Sequence, residues 1–235
     1  MGTGNEFALL REQVELQARH IQRLEQALGI LQDREDIRRL QYCYGYFIDN
    51  RMFREMADLF ADRGAWMEIG GRGRYEGKAH IHAFLLDVLG EGRWGLMKDE
   101  VINHVQQQLL ITVDEDRQHA RARARAQIQG NSPPTTPTFL IADGIYENTY
   151  VREDGRWKIQ GLTVTMTYYA SLQRERISFP TAPPSTQLPP DRPSQPVVEA
   201  LGRQFNPWHF RHPIGGYELA IPAASAADSA YPPPA

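Results

Sequence analysis

A chain of 235 residues with 41% hydrophobic content can bury one good core and leave part of its length as appendage. A formal net charge of -3, with no basic patch interleaved with aromatics, argues against a nucleic-acid partner. Cys43 is the only cysteine, which excludes an intrachain disulfide; no apolar run reaches membrane-spanning length and no cationic, apolar leader opens the chain, so a soluble, cytoplasmic protein without a membrane partner is expected.

From Asn5 to Leu31 the sequence is polar except for a narrow seam at Leu10, Val14, Ile21, Leu24, Leu28 and Leu31. Adding Gln17 gives alternating steps of four and three, the heptad signature of a helix that packs against another helix. Residues 1–32 therefore read as a helical arm, either lying on its own domain or joining copies into a homo-oligomer, a dimer or trimer, through this helix or a sheet face. Gly29 weakens the helix and predicts a kink, after which Asp33 restarts it as an N-cap with Glu35 and Asp36 in the first turn. Ile37, Leu40, Tyr44, Phe47 and Ile48 then recur at helical spacing and should cover a core. Cys43, among apolar neighbours, reads as an inert buried thiol. Tyr42 and Tyr46 project to the other side, where they would pack under the arm. Asp49-Asn50 breaks the pattern before a second short helix from Phe53 to Phe60. An aspartate ending an apolar, tyrosine-rich helix is poorly explained by packing.

Ala65 to Ile69 reads as a short strand entering a Gly70-Gly-Arg-Gly73 turn, with Trp66 and Glu68 on one face and Met67 and Ile69 on the other. A helix from Lys78 to Leu89 follows, with Ile81, Phe84, Leu85 and Val88 inward; His80 and His82, two residues apart, point to different sides and cannot chelate together. Further strands are predicted over Glu100–Val113, Ala120–Gln129, Phe139–Arg152 and Trp157–Tyr169. His104 and Gln106 share a face of the first, and alanines alternate with Arg121, Arg123 and Arg125 in the second. The proline-rich stretch Gly130–Pro137 must be a loop, and Asp154-Gly155 a hairpin turn. Helices first and a meander later make residues 33–179 an α+β domain. Thirteen of the sixteen prolines lie from Pro180 onward, so residues 180–235 read as an extension: a linker to Pro196, a disordered tail from Ala223, and between them the aromatic segment Phe205–Pro213. That segment should dock, as a lid over its own or a neighbour's pocket or as a surface strap.

The run Ile37-Arg-Arg-Leu, Tyr44, Ile48-Asp49, Phe53 and Ala57-Asp-Leu-Phe60, followed by Tyr75-x-Gly77-x-x-x-Ile81 and Asp154-Gly-Arg-Trp157-Lys-Ile159, resembles the SnoaL-like branch of the nuclear transport factor 2-like superfamily. The resemblance covers roughly Asp33 to Tyr169. It implies a cone: a strongly curved antiparallel sheet with three helices against its concave side, enclosing a pocket. That superfamily hosts scytalone dehydratase, ketosteroid isomerase, polyketide cyclases, cofactor-free lyases of lignin-derived diaryl diols, and non-catalytic binders, so a pocket is implied more firmly than a reaction.

No cofactor fingerprint is present: the glycines of Gly70–Gly73 lack phosphate-loop or dinucleotide spacing, and His209-x-x-His212 offers only two metal ligands. The expectation is no cofactor, no metal, and catalysis by acid and base side chains. The resemblance implies that Asp49 is the helix-end aspartate of the branch and His104 its strand histidine, a pair that yields a base near neutral pH. A histidine satisfied by a buried carbonyl is the plain alternative. It also implies that Glu68 matches the isomerase's proton-shuttling carboxylate, with Trp66 as its apolar wall, and that Tyr44 matches its tyrosine oxyanion donor. A surface glutamate and a core tyrosine are the alternatives. Trp66, Tyr146, Tyr169 and Trp208 are candidate pocket aromatics, with Arg123 and His209 as further substrate contacts. Tyr150-Val-Arg-Glu153 departs from the isomerase pattern, and Arg123, Arg125 and Gln127 stand where the dehydratase keeps a second histidine. The expected function is a cofactor-independent lyase for a hydrophobic, aromatic, hydroxylated small molecule, acting by dehydration or retro-aldol-like loss of formaldehyde. An isomerase or cyclase using Glu68, or a non-catalytic binding or scaffold domain, is the alternative.

Overall fold

In the computed structural model, which describes residues 3–131, 133–173, 190, 192, 196–205 and 207–226, the first helix α1 (Thr3–Asp49) runs 47 residues without interruption. The helix does not stop and restart between Gly29 and Asp33, and Asp33 does not cap it. It lies mid-helix, 1% exposed, and accepts hydrogen bonds from Arg117 Nε (2.5 Å), Trp157 Nε1 (3.0 Å) and Arg152 Nη1 (3.1 Å). Gly29 serves this arrangement: a methyl there would stand 2.1 Å from Arg117 Nη1, so the missing side chain clears the guanidinium's route to Asp33. Beyond Asp33 the expected face is buried, with Ile37, Leu40, Tyr44, Phe47 and Ile48 in the core.

α2 (Phe53–Ala57) follows, then β1 (Trp66–Ile69), β2 (Arg74–Glu76) and α3 (Lys78–Ala83). α3 continues as a π-helical segment over Phe84–Leu89. Its wider turn rotates the inward face. Phe84 and Leu85 are buried as expected, yet Val88 is 53% exposed and Leu86 takes its place inside. β3 (Arg93–Trp94) precedes the long strands β4 (Ile102–Val113), β5 (His119–Gly130), β6 (Thr138–Glu153) and β7 (Arg156–Gln173).

The main sheet has the order β2-β1-β7-β6-β5-β4. It is mixed rather than purely antiparallel, because β1 joins β7 in parallel, Trp66 opposite Gly161 through Ile69 opposite Val164. No hairpin links those two strands, so chain connection does not impose an antiparallel pairing on them. Elsewhere the meander is antiparallel, with register shifts between Gln107 and Leu110 of β4 and at Asp143/Gly144 and Thr149/Tyr150 of β6. The turn into β7 has φ of 50° at Asp154 and 75° at Gly155, the left-handed pair that a tight hairpin requires. On β5, Ala120, Ala122, Ala124 and Ala126 face the core, while Arg123 and Arg125 point outward to Glu147 and Asp143.

The short strands β8 (Val197–Val198) and β9 (Arg203–Gln204) pair with each other. β10 (Ser225–Ala226) pairs with β3, so the tail expected to be disordered from Ala223 begins as a strand; residues from 227 onward, and most of the predicted linker, lie outside the described residues. The aromatic segment docks on its own domain. Trp208 and Phe210 meet the Tyr46 ring at 6.1 and 6.4 Å between centroids, and the His212 ring stacks between Phe47 (5.4 Å) and Tyr217 (4.6 Å). His212 Nε2 donates to the Glu55 carbonyl at 2.8 Å while Nδ1 accepts from the backbone of Gly215 (2.8 Å) and Ile214 (3.3 Å). Only the neutral ring fits that pattern, and burial pushes its pKa down.

Two outcomes follow from these anchors. Asp33→Ala leaves two arginines without their buried counter-ion and should cost about 3 kcal/mol in denaturant unfolding; a loss under about 1 kcal/mol would make the cluster incidental. For His212 the docked state binds fewer protons than the free one, so its contribution is complete above about pH 6.5 and declines as pH falls below that value. Thermal unfolding of His212→Gln, which keeps a donor but does not titrate, should therefore lose less stability in mild acid than the parent chain does.

Candidate active site

Asp49 ends α1 and His104 sits near the start of β4, the edge strand of the main sheet. One carboxylate oxygen, Asp49 Oδ1, accepts from both the His104 backbone N–H (2.7 Å) and His104 Nδ1 (2.8 Å). Because a carboxylate only accepts, Nδ1 carries a proton, and in the neutral ring Nε2 then keeps a free lone pair. Burial raises the Asp49 pKa, and the His104 ring contact, its charge and its backbone N–H oppose the rise.

The pair opens into a cleft of about 320 Å³ between α1 and β4, lined by Tyr42, Gly45, Tyr46, Asp49, Asn103, His104, Val105 and Gln106. The four helix residues fall at positions i, i+3, i+4 and i+7, one face of α1. Tyr42 and Tyr46 are 43% and 56% exposed, so they form a rim and do not pack under the arm as expected.

Gln106 lies two residues along the strand from His104. Its Oε1 accepts from Gln41 Nε2 at 2.7 Å, and Gln41 Oε1 in turn accepts from Tyr150 OH (2.5 Å) and Asn148 Nδ2 (2.9 Å). That chain of bonds commits the Gln106 oxygen and leaves Nε2 buried without a partner among the described residues, as is Asn148 Oδ1. An unmet buried donor costs about 1–3 kcal/mol. Gly45 makes room for it, since a methyl there would stand 2.8 Å from Gln106 Nε2.

Of the residues singled out from sequence, only Asp49 and His104 come together in the cleft. Tyr44 is 1% exposed, with its hydroxyl 3.5 Å from that of buried Tyr146, and burial raises both pKa values; neither lines the cleft. Glu68 is held by Arg74 at 3.2 Å on the β1–β2 hairpin, and the same guanidinium lies 4.0 Å over the Trp66 ring. The inward residue of β1 is Met67 instead. Arg123 bonds Glu147 on the outer sheet face, and Tyr169 is 62% exposed on the distal half of β7. Trp208 reaches the site only through the edge of Tyr46, and His209 is exposed beside Phe210. Tyr42, Gly45, Tyr46 and Gln106 were missed, although helical spacing back from Asp49 and strand alternation from His104 point to all four. Among the described residues no three His, Cys, Asp or Glu side chains are placed to hold a metal ion, and no helix is long and apolar enough to cross a membrane.

Gly45→Ala separates stability from function at this site. Only the end of a flexible side chain must move, so the helix should gain up to about 1 kcal/mol, seen as a raised Tm, while the displaced Gln106 amide reduces ligand binding in the cleft. A variant that gains stability and binds unchanged would show the Gln106 position to be irrelevant.

A model of the SnoaL-like domain matches residues 29–163, more than half of the chain. No curated protein matches it significantly. Among solved structures, a type 2 hexachlorocyclohexane dehydrochlorinase (LinA) is 24% identical, with a TM-score of 0.54 over 67% of this chain and 98% of that one. The LinA-type3 enzyme of Novosphingobium barchaimii LL02 is 22% identical, with a TM-score of 0.53 over 67% and 99%. A candidate scytalone dehydratase of Novosphingobium aromaticivorans DSM 12444 is 21% identical, with a TM-score of 0.52 over 61% and 90%. Likeness at these identities speaks to the fold, an α+β architecture shared across all three. With the domain model spanning α1 from Gly29 through most of the sheet, the chain belongs to the SnoaL-like domain family of the nuclear transport factor 2-like superfamily.

Proposed function

We propose that the cleft is the active site of a lyase that eliminates a small leaving group from a hydrophobic, aromatic, hydroxylated molecule by acid–base catalysis. The observation that carries this reading is the 2.8 Å bond from His104 Nδ1 to Asp49, which leaves Nε2 as a base beside a tyrosine-rimmed cleft. Asp49 orients the ring and stabilises the imidazolium that forms when Nε2 takes a proton. The Gln106 amide, held by Gln41, has its N–H free to meet oxygen where negative charge develops. Tyr42 and Tyr46 offer aromatic faces to a ring. The volume, about 320 Å³, suits a small molecule.

In a dehydration, Nε2 removes a C–H proton, the C–O bond on the adjacent carbon breaks, and the imidazolium returns the proton to the departing hydroxide as water. In the alternative deformylation, Nε2 takes the proton of a primary hydroxyl and the C–C bond breaks to release formaldehyde. The freed electron pair then expels a neighbouring benzylic hydroxide, which leaves as water with the histidine's proton. Both steps end with a neutral ring. Solved relatives described as dehydrochlorinases and a scytalone dehydratase lend support to elimination. The isomerase alternative finds no support in the geometry, because Glu68 is tied to Arg74 away from the cleft.

The test is incubation of the purified protein with a panel of aromatic diols and hydroxyketones, read by mass. A loss of water or of formaldehyde is expected, reduced about 10²–10⁴-fold in His104→Ala and by a comparable factor in Asp49→Asn. Gln106→Ala should lower kcat/KM about 10²-fold. Turnover that survives His104→Ala would remove the base from this mechanism, and a panel that binds in the cleft with neither a mass loss nor deuterium uptake from heavy water would make the domain a binder.

A further inference from the structure

The first part of α1 carries an apolar stripe that the domain does not cover. Phe7, Leu10, Val14, Ile21, Leu24, Leu28 and Leu31 are each more than half exposed. The arm's own contacts with the domain lie on another side: Gln26 donates to the Glu115 carbonyl at 3.0 Å, Gly29 gives way to Arg117, and Asp33 is buried. At about 100° per residue, that side runs into the core face of Ile37, Leu40 and Tyr44, whereas the stripe points roughly opposite to it. Among the described residues, the domain to which the arm is attached leaves the stripe uncovered.

We propose that the stripe pairs with the same stripe of a second copy, forming a parallel, in-register, two-stranded coiled coil. Spacing by four and three places Phe7, Val14, Ile21 and Leu28 at one core position of the heptad and Leu10, Gln17, Leu24 and Leu31 at the other. Two of the four first positions, Val14 and Ile21, are β-branched and three of the four second positions are leucine, a combination that favours two parallel strands. Gln17 decides the direction. In a parallel register its amide meets the Gln17 amide of the other copy and both are satisfied; in the fully overlapped antiparallel register each would face Ile21 and lie buried without a partner. Parallel pairing also sets His20 of one copy beside Glu25 of the other across the core edge, a favourable contact. Because the stripe and the core face are on opposite sides of α1, the two domains fall outward from the two-fold axis and do not collide. The pairing also supports a helix that projects from its domain with little else to hold it.

The experiment uses the full-length chain. Light scattering should give an even multiple of the 26.8 kDa chain mass, and the double variant Ile21→Asp/Leu24→Asp should halve it. All four tryptophans, at Trp66, Trp94, Trp157 and Trp208, lie in the domain or its strap, so unchanged emission shows that the domain still folds. Orientation is read by mild oxidation of Leu10→Cys and of Leu28→Cys, prepared separately, with Cys43 buried in both. Each should form a disulfide dimer with itself. Crosslinking only when the two variants are mixed would overturn the parallel register in favour of an antiparallel one. A single-chain mass for the parent protein, or a mass unaffected by the double variant, would overturn the pairing itself.

Discussion

How α1 lies on the sheet is governed by one buried carboxylate. Asp33 gathers Arg117 from the turn between β4 and β5 and Arg152 and Trp157 from the β6–β7 hairpin, so a single side chain of the helix is bonded to both the first and the last hairpin of the meander. A buried anion stripped of its partners is costly, so the helix cannot slide or rotate without breaking several bonds together. Since α1 continues unbroken to Asp49, this setting propagates by about 1.5 Å and 100° per residue. Ile37, Leu40, Tyr44 and Phe47 are delivered to the core, and Tyr42, Gly45, Tyr46 and Asp49 to the cleft.

The same placement puts the chemistry at the rim of the domain. The space between α1 and the sheet is filled by Phe47 and by Tyr44, Tyr146 and Tyr150, whose hydroxyls are taken up in buried contacts. β4 is an edge strand of the sheet, so among the described residues no further strand pairs beyond it beside His104. A polar chain from Tyr150 through Gln41 to Gln106 connects this interior to the cleft and ends in a donor that folding alone does not satisfy. Among the described residues, the C-terminal segment borders the site, resting Trp208 and Phe210 on Tyr46 and burying neutral His212 against α1 and α2.

Sequence reading succeeded where the deciding neighbours are close in the chain. The buried face of α1, the alanine–arginine alternation of β5 and the Asp154-Gly155 turn all follow from residues within one or two turns or one strand. It failed where a distant segment intervened. Gly29 weakens an isolated helix, but in the fold it makes way for a guanidinium from Arg117; Val88 would face inward at the α-helical period, but the π-helical segment turns it out. Glu68 and Trp66 share a face as alternation requires, yet pairing of β1 with β7 turns that face away from the cleft.

By itself, then, the sequence determined the elements, their apolar faces, the family to which the central domain belongs and the two residues, Asp49 and His104, that the site retains. Periodicity and turn chemistry act over a few residues, and the family resemblance carried the rest. Only the tertiary structure decided which of the candidate acids and aromatics share a cleft, because that depends on strand pairing and helix rotation. Asp49 and His104 are 55 residues apart, and their contact exists only because Asp33, held by side chains more than 80 residues downstream, sets the helix that ends at Asp49.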